Sequence, residues 1–432
     1  MTETASVDHA GTIPGEYVAV AVAAGMSVNL SGAWIDWSQS ALILGWACMS
    51  YARFRLGLGM TAVGTLVVWS SLALLGGWPT RWLSSATDFQ LTDLVQLTAV
   101  VVLAALWLLP FDWLGGYWGP RRFRRTSDSP LQWARDYGAA VLRQIVFYVV
   151  AATAILAAGR LGGWLAVGLA VTLLMWVGAR WRSFRLSQRF VADDPPSGRR
   201  SAIEAAKGIA GQWGIDVPRV EVVDHRDVGF TGGIVRVGGR PVIVLPRLWV
   251  QQLKPAALAC VLARRALAIH SGAYARGVGM AYAWNGAGLL LSGWLPNAGF
   301  TSVAELATTL CYFTIWSFLG LLWLPTLSRS SAFALDSQLT GRGGDPQSVR
   351  ATALQLDRWQ DEEPQRAVWI ERIFHPIPSA VQRGGQLPQR PAVAWNAARL
   401  TLAYSWGCVG LLSRAVHCNL GRPELWELLP VD

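Results

Sequence analysis

Between Gly57 and Trp78 the chain runs through glycine, apolar and a few hydroxyl residues without one Asp, Glu, Lys or Arg. A run of that length exceeds the roughly 20 residues that a helix needs to cross the hydrocarbon core of a bilayer. Backbone in lipid has no water to bond, so each such run is expected to be a helix that satisfies its own N–H and C=O groups. The pattern recurs at Leu94 to Leu109, extending to Trp118 if Asp112 lies at an interface. Val141 to Gly159 and Leu161 to Ala179 form an expected hairpin about Arg160, and Gly277 to Leu295 and Ser302 to Leu324 form another. Tyr17 to Ile35 and Ser38 to Ala52 are weaker versions near the start. The total is about eight spans by the length requirement. Aliphatic, aromatic and cysteine residues make up 53% of the chain against 15% charged, and there are 24 Trp, a balance that excludes an ordinary water-soluble surface.

The net charge of +10 rests on 37 basic residues, all Arg except Lys207 and Lys254. Arg121, Arg122, Arg124 and Arg125 follow one span, and Arg180, Arg182, Arg185 and Arg189 follow another. The Asn297-Ala298 turn carries no basic residue. By the positive-inside rule the arginine clusters belong in the cytosol, as topology anchors and headgroup contacts rather than nucleic-acid contacts. Met1 to Glu16 lacks a basic start and a cleavage site, so no cleaved leader is expected. Cys48, Cys260, Cys311, Cys408 and Cys418 show no metal-type spacing and are expected as free thiols. Within the spans only Arg143 and Glu305 stand out as charges, and both lie near ends where they can reach an interface.

These readings divide the chain into four parts. Residues 1–181 form a membrane domain of about six spans. Residues 182–276 form a cytosolic helix-strand-helix region. Residues 277–326 form a two-span hairpin, and residues 327–432 a C-terminal cytosolic part and tail. In the second part, after the loop Asp193 to Gly198, Arg200 to Trp213 has helical apolar spacing and stops at Gly214. Arg219 to Val223 reads as a strand. Gly229 to Val237 and Arg240 to Leu245 read as two more, joined by Gly238-Gly239 as a hairpin. Pro255 opens a helix that runs through Val-Leu-Ala-Arg-Arg-Ala-Leu-Ala-Ile-His, residues 261–270. Ser328-Arg329 and Asp336 come after the next two spans, followed by His375-Pro376 and Arg383.

In this order the segments resemble the membrane zinc endopeptidases that comprise the heat-shock protease HtpX and the CAAX prenyl proteases. The resemblance covers roughly Arg200 to Arg383 and begins with Gly214-Ile215-Asp216-Val217-Pro218-Arg219-Val220, matching a Gly-x-x-x-Pro-x-Val pattern. It implies an α-helical polytopic membrane protein with a small α+β metallopeptidase-like, gluzincin-type cytosolic domain. It also implies that Phe230, Thr231, Gly232, Gly233 and Ile234 form an edge strand that binds a substrate backbone, although the family's Asn-Ala before Phe is here Val228-Gly229. The number of spans before the motif is closer to the CAAX-protease arrangement.

The zinc chemistry of that family has no residues to carry it here. A helical His-Glu-x-x-His sets two imidazoles on one face as ligands and a Glu as base. Those positions hold Arg264, Arg265 and Ala268, and the third-ligand Glu is Ala332. A guanidinium offers no lone pair and stays protonated at neutral pH. His270 falls roughly 200° round the helix from the second ligand position. Asp336, which in the family hydrogen-bonds a zinc-ligating His, remains, as does His375. A lone buried carboxylate costs several kcal/mol, so Arg264 or Arg265 is expected to supply its counter-charge.

The expectation is an integral-membrane pseudopeptidase in the bacterial inner membrane, without a cofactor. It would bind membrane-protein chains or a peptidase paralogue as scaffold, regulator or subunit, with lipid as its solvent. Three alternatives are an active zinc endopeptidase with non-standard ligands among His225, His270 and His375, a transporter or channel with a cytosolic cap, and a metal-independent hydrolase. In the C-terminal part, Asp361-Glu362-Glu363 reads as a solvated face and Gln386 to Pro391 as a linker. Leu400 to Ser413 is too short for a span and suits a helix buried against the domain or lying at the interface. Gly421 to Pro430 reads as a tail packing on its own domain.

Overall fold

The computed structural model describes residues 50–126, 129–191, 199–225, 227–360, 366–383 and 391–428. The two weak N-terminal spans, the Asp193 to Gly198 loop, the acidic patch at 361–363 and most of the 386–391 linker lie outside them.

Helix α1 (Tyr51–Leu75) is capped by Ser50, whose hydroxyl accepts from Arg53 N at 3.3 Å. Helix α2 (Leu91–Trp113) starts at a reciprocal cap between Gln90 and Asp93. It continues through a π-helical turn, Leu114–Trp118, to Arg122. Helix α3 (Pro130–Ser187) spans 58 residues but cannot be straight. Gly163 leaves helical geometry (φ 61°, ψ −151°), and Phe147 stacks on Trp181 with centroids 6.3 Å apart. Residues that far apart on a straight helix would be separated by roughly 50 Å, so α3 folds back on itself close to Arg160. Arg160 fastens this turn: its guanidinium donates to Thr301 O at 2.7 Å and Ala86 O at 3.0 Å and pairs with Asp93 at 2.7 Å.

The strand-bearing lobe follows. Helix α4 (Arg199–Gln212) precedes three strands, β1 (Val220–Val223), β2 (Gly233–Val237) and β3 (Arg240–Pro246), in the order β1-β3-β2. β1 runs parallel to β3, and β2 antiparallel to it with Val237 opposite Arg240. The turn between them needs positive φ twice, and Gly238 (58°) and Gly239 (83°) supply it. Helix α5 (Pro255–His270) lies against both α4 and β3. Its Leu258 and Leu262 join Ile203, Ile243, Leu245 and Trp249 in one core cluster.

At Gly272 (φ 71°) the chain bends by 64° into α6 (Ala273–Gly293). Helix α7 (Val303–Gly341) then runs 39 residues without interruption. Its first half is apolar enough to span, and its second half reaches back to the lobe. There Ala334, Leu335 and Leu339 pack with Cys260, Ala263 and Leu267 of α5. One rod thus holds span and lobe in a fixed relation. The described chain is mostly helical with few strands, and α1, Leu91–Arg122, α3 and α7 are long and apolar enough to cross a membrane. The bent pair α5–α6 passes the same test together. These features support a multi-pass helical membrane protein.

Helix α8 (Pro346–Gln360) and the short helix α9 (Val368–Phe374) return the chain to the lobe. The final stretch does more than lie on the surface. Helix α10 (Ala397–Tyr404) passes into a tight turn, Ser405–Cys408, and Val409 (φ 55°) reverses the chain toward Leu412–Ala415. Trp406 and Trp426 are each 1% exposed and belong to the same core as Tyr148, Ile155 and Met175 of α3. Non-helical backbone survives among apolar helices only where protein covers it and its polar groups find partners. Here Tyr148 donates to Gly410 O at 2.8 Å, Asn285 to Thr401 O at 2.9 Å and Arg182 to Trp426 O at 2.9 Å. The single helix expected over Leu400 to Ser413 ends instead at Tyr404 and gives way to this turn, and the segment is buried rather than lying at an interface. The chain passes so close to the π-helical turn of α2 that a Cβ on Gly116 would sit 1.9 Å from Gly421 O.

Candidate functional site

Asp336 projects from α7 into the contact with α5 and is fully buried. The Nε of Arg264 lies 2.7 Å from its Oδ1, which forms an ion pair across the two helices. Arg383 completes the site. It donates from Nε to Asp336 Oδ2 at 2.6 Å and from Nη2 to Oδ1 at 3.0 Å, a bidentate arrangement that fixes the carboxylate plane. The counter-charge of Asp336 therefore comes from Arg264 and not from Arg265, and a second guanidinium arrives from the end of the short helix Ala380–Arg383.

Arg265 faces the other way. Only 2% exposed, it donates to Val244 O at 2.9 Å and Thr231 O at 2.7 Å. Its guanidinium thus grips β3 and the chain just before β2, and it stacks over the Trp249 ring at 5.4 Å. Arg264 lies over Trp395 at 5.6 Å. Ala268 and Ala332 are 0% and 2% exposed, so their methyl groups are packed into the interior.

The residues at these positions do not fit a zinc ion. The positions that the resemblance would assign to three ligands and a base carry two guanidiniums and two methyl groups, and Arg264 already occupies Asp336. The alternative set is not brought together either. His270 is exposed at the end of α5, and His225 stacks on Phe230 at 4.1 Å. His375 instead neighbours His417, with ring centroids 5.3 Å apart. Among the described residues no three His, Cys, Asp or Glu side chains are gathered as a metal site.

The stretch Phe230 to Ile234 is only partly strand. Phe230 (2% exposed) and Thr231 (8%) are buried, and Gly232 turns at φ 65°. A Cβ there would fall 2.1 Å from Val244 O. The strand accordingly begins at Gly233 rather than Gly229, because Arg265 and the Gly232 turn hold the preceding carbonyl inward. The outer edge of β2 from Ile234 to Val237 has no strand partner among the described residues; Ile234 and Val235 are buried there and Arg236 is exposed. Two-residue hairpins close on a hydrogen-bonded pair, and the ladder alternates from there, so the backbone N–H groups of Ile234 and Arg236 point outward. A cavity of about 520 Å³ lies beside this edge, walled by Trp176, Arg180, Tyr274, Tyr282 and Tyr404.

The loop that carries His375 is built around Glu371, which is fully buried. Glu371 accepts from Ser379 Oγ at 3.1 Å and Gln382 Nε2 at 2.9 Å and pairs with Arg329 at 3.2 Å. The retained Ser328-Arg329 frame is explained by these contacts: Arg329 holds this loop to α7, and Ser328 Oγ accepts from Ala398 N at 3.1 Å. Nothing local in the sequence marks Glu371 as a member of the site, because its partner Arg329 comes from another element.

Two groups near the sheet have shifted proton affinities. Burial, which penalises the imidazolium, pulls His225 down to about 4. Burial alone would raise Asp227, but the Arg422 guanidinium beside it outweighs that and holds it down at about 2. The Asp227–Arg422 ion pair fastens the loop before β2 to the C-terminal segment. Comparison with protein-family models and with curated protein sequences finds no match for this chain.

Proposed function

We propose that the chain is an integral-membrane, non-catalytic relative of the HtpX and CAAX-type zinc endopeptidases, with its strand-bearing lobe in the cytosol, and that it holds an extended segment of a membrane protein. The observation that carries this reading is the outer edge of β2, without a strand partner among the described residues, beside a cavity of about 520 Å³ and next to a helix whose ligand positions are arginine and alanine. An exposed strand edge binds an extended chain through main-chain hydrogen bonds, and an adjoining pocket selects its side chains. Arg265, locked onto Thr231 O and Val244 O, keeps that edge in place where an enzyme of the family would carry its base. The Arg clusters that follow the spans support the cytosolic placement.

The test replaces Val237 by a photo-crosslinking amino acid in the full chain, in its native membrane. Crosslinks to membrane proteins are expected, and Arg236→Pro should abolish them while leaving expression unchanged. Proline removes one outward N–H and is tolerated on an edge strand. Crosslinking that survives Arg236→Pro, or stoichiometric zinc with chelator-sensitive cleavage in the purified protein, would overturn the reading.

A further inference from the structure

A second cavity, of about 260 Å³, lies between α1 and α7 and is walled almost wholly by apolar groups, among them Val63, Phe318, Leu321 and Leu402. Its wall includes Met60 and Leu322, which are 43% and 40% exposed on helices long and apolar enough to span, so the cavity opens laterally toward lipid. Arg399 also lines it. The Nε of Arg399 is buried and makes no hydrogen bond among the described residues. The same side chain also lines a smaller cavity of about 60 Å³ walled by Arg264, Arg265, Arg366 and Arg383, of which Arg264 and Arg383 are paired with Asp336 and Arg366 with Asp357. An apolar slot open to the bilayer therefore shares a guanidinium with an arginine-rich chamber.

A buried guanidinium N–H without an acceptor is costly unless an anion reaches it, and Arg399, half-buried as a whole, has one such N–H at Nε. An arginine fork matches phosphate oxygens in pairs, which neutral lipid headgroups with a compensating ammonium satisfy less well. We propose that this slot binds one acyl chain of an anionic phospholipid, with the headgroup phosphate held by Arg399. The position suits a headgroup, because Arg399 stands in α10, where the chain leaves the lobe to enter the helical core. The edge strand does not enter this argument, and Arg264 and Arg265 enter it only as neighbours of Arg399, so its failure would leave the peptide-holding reading untouched.

Two substitutions separate tail from head. A Cβ at Gly64 meets nothing within 4 Å, so Gly64→Leu fills the slot without a clash and with a better helix former. Arg399→Gln removes the charge and leaves the slot. The full chain in neutral detergent is titrated with phosphatidylglycerol or phosphatidylcholine of the same acyl chains, and bound lipid is counted by native mass spectrometry. The unaltered protein is expected to prefer phosphatidylglycerol by at least about tenfold, a typical return for one charge-assisted contact. Arg399→Gln should bring the preference to about one, and Gly64→Leu should remove retention of both lipids. Equal retention of the two lipids, a preference unchanged in Arg399→Gln, or unchanged retention in Gly64→Leu would each overturn the proposal. So would displacement of the lipid by millimolar inorganic phosphate, which would make the site one for a free anion.

Discussion

Arg264 and Asp336 meet at 2.7 Å, although α6 and the first half of α7 separate them in sequence. Arg383 shares the same carboxylate, so Asp336 is held by two guanidiniums that come from different segments. The triad joins α5, α7 and the short helix Ala380–Arg383, the three pieces that must agree for the lobe to seat on the helices.

The triad should respond asymmetrically to mutation. Asp336→Ala leaves two buried guanidiniums facing each other and is expected to cost about 3–5 kcal/mol. Arg264→Gln should cost about 1–2 kcal/mol because the bidentate Arg383 contact remains. Thermal unfolding of the detergent-solubilised protein measures both, and equal losses would contradict the shared-carboxylate geometry.

Restoring the missing side chains tests the family reading directly. The fourfold variant Arg264→His, Arg265→Glu, Ala268→His and Ala332→Glu places a His-Glu-x-x-His on α5 and a carboxylate on α7 beside the retained Asp336. About one zinc per chain is expected in a variant that stays monodisperse, because zinc needs three matched ligands and an oriented second partner. A folded variant that binds no zinc would mean that α5 and α7 are not set as in a peptidase.

His225 should make stability depend on pH. Its folded value lies near 4 against 6.5 unperturbed, so the unfolded chain binds more protons between those values. Its stabilisation is full above about pH 6.5 and is lost as pH falls toward 4. The effect should be about 1–2 kcal/mol, since the residue still meets some solvent. Asp227, depressed rather than raised, contributes above its unfolded value of 3.8 and is lost only as pH falls toward 2. Comparing unfolding midpoints at pH 7 and pH 5 for the parent and His225→Gln isolates the imidazole, and a parallel loss in both would refute its role.

The buried C-terminal turn should be integral to the helical core. Trp406→Ala removes a side chain that lies against Phe147, Tyr148 and Trp426 and is expected to cost about 3–5 kcal/mol. Its effect should appear as protease cleavage within residues 405–428, measured by mass spectrometry of limited digests. Wild-type resistance in the variant would show that the turn is not held by this packing.

Where structure rests on short-range pattern, the sequence alone determined it. Uninterrupted apolar runs lead to α1, α2, α3 and α7 because backbone in lipid has only its own carbonyls to bond. Gly238-Gly239 leads to the hairpin because both turn residues need positive φ. That the side chains at residues 264, 265, 268 and 332 offer neither a zinc ligand nor a base likewise follows from their chemistry alone. The tertiary structure alone decided that Arg264, not Arg265, takes Asp336, that Arg383 joins them, and that β2 opens only at Gly233. It also decided that residues 397–426 turn back inside the helical core. Each of these depends on which distant groups share a buried space, where an unpaired charge or carbonyl is costly. That cost sets no local periodicity, so fourteen apolar residues between Arg399 and Arg414 look the same whether they lie on a surface or fill the core.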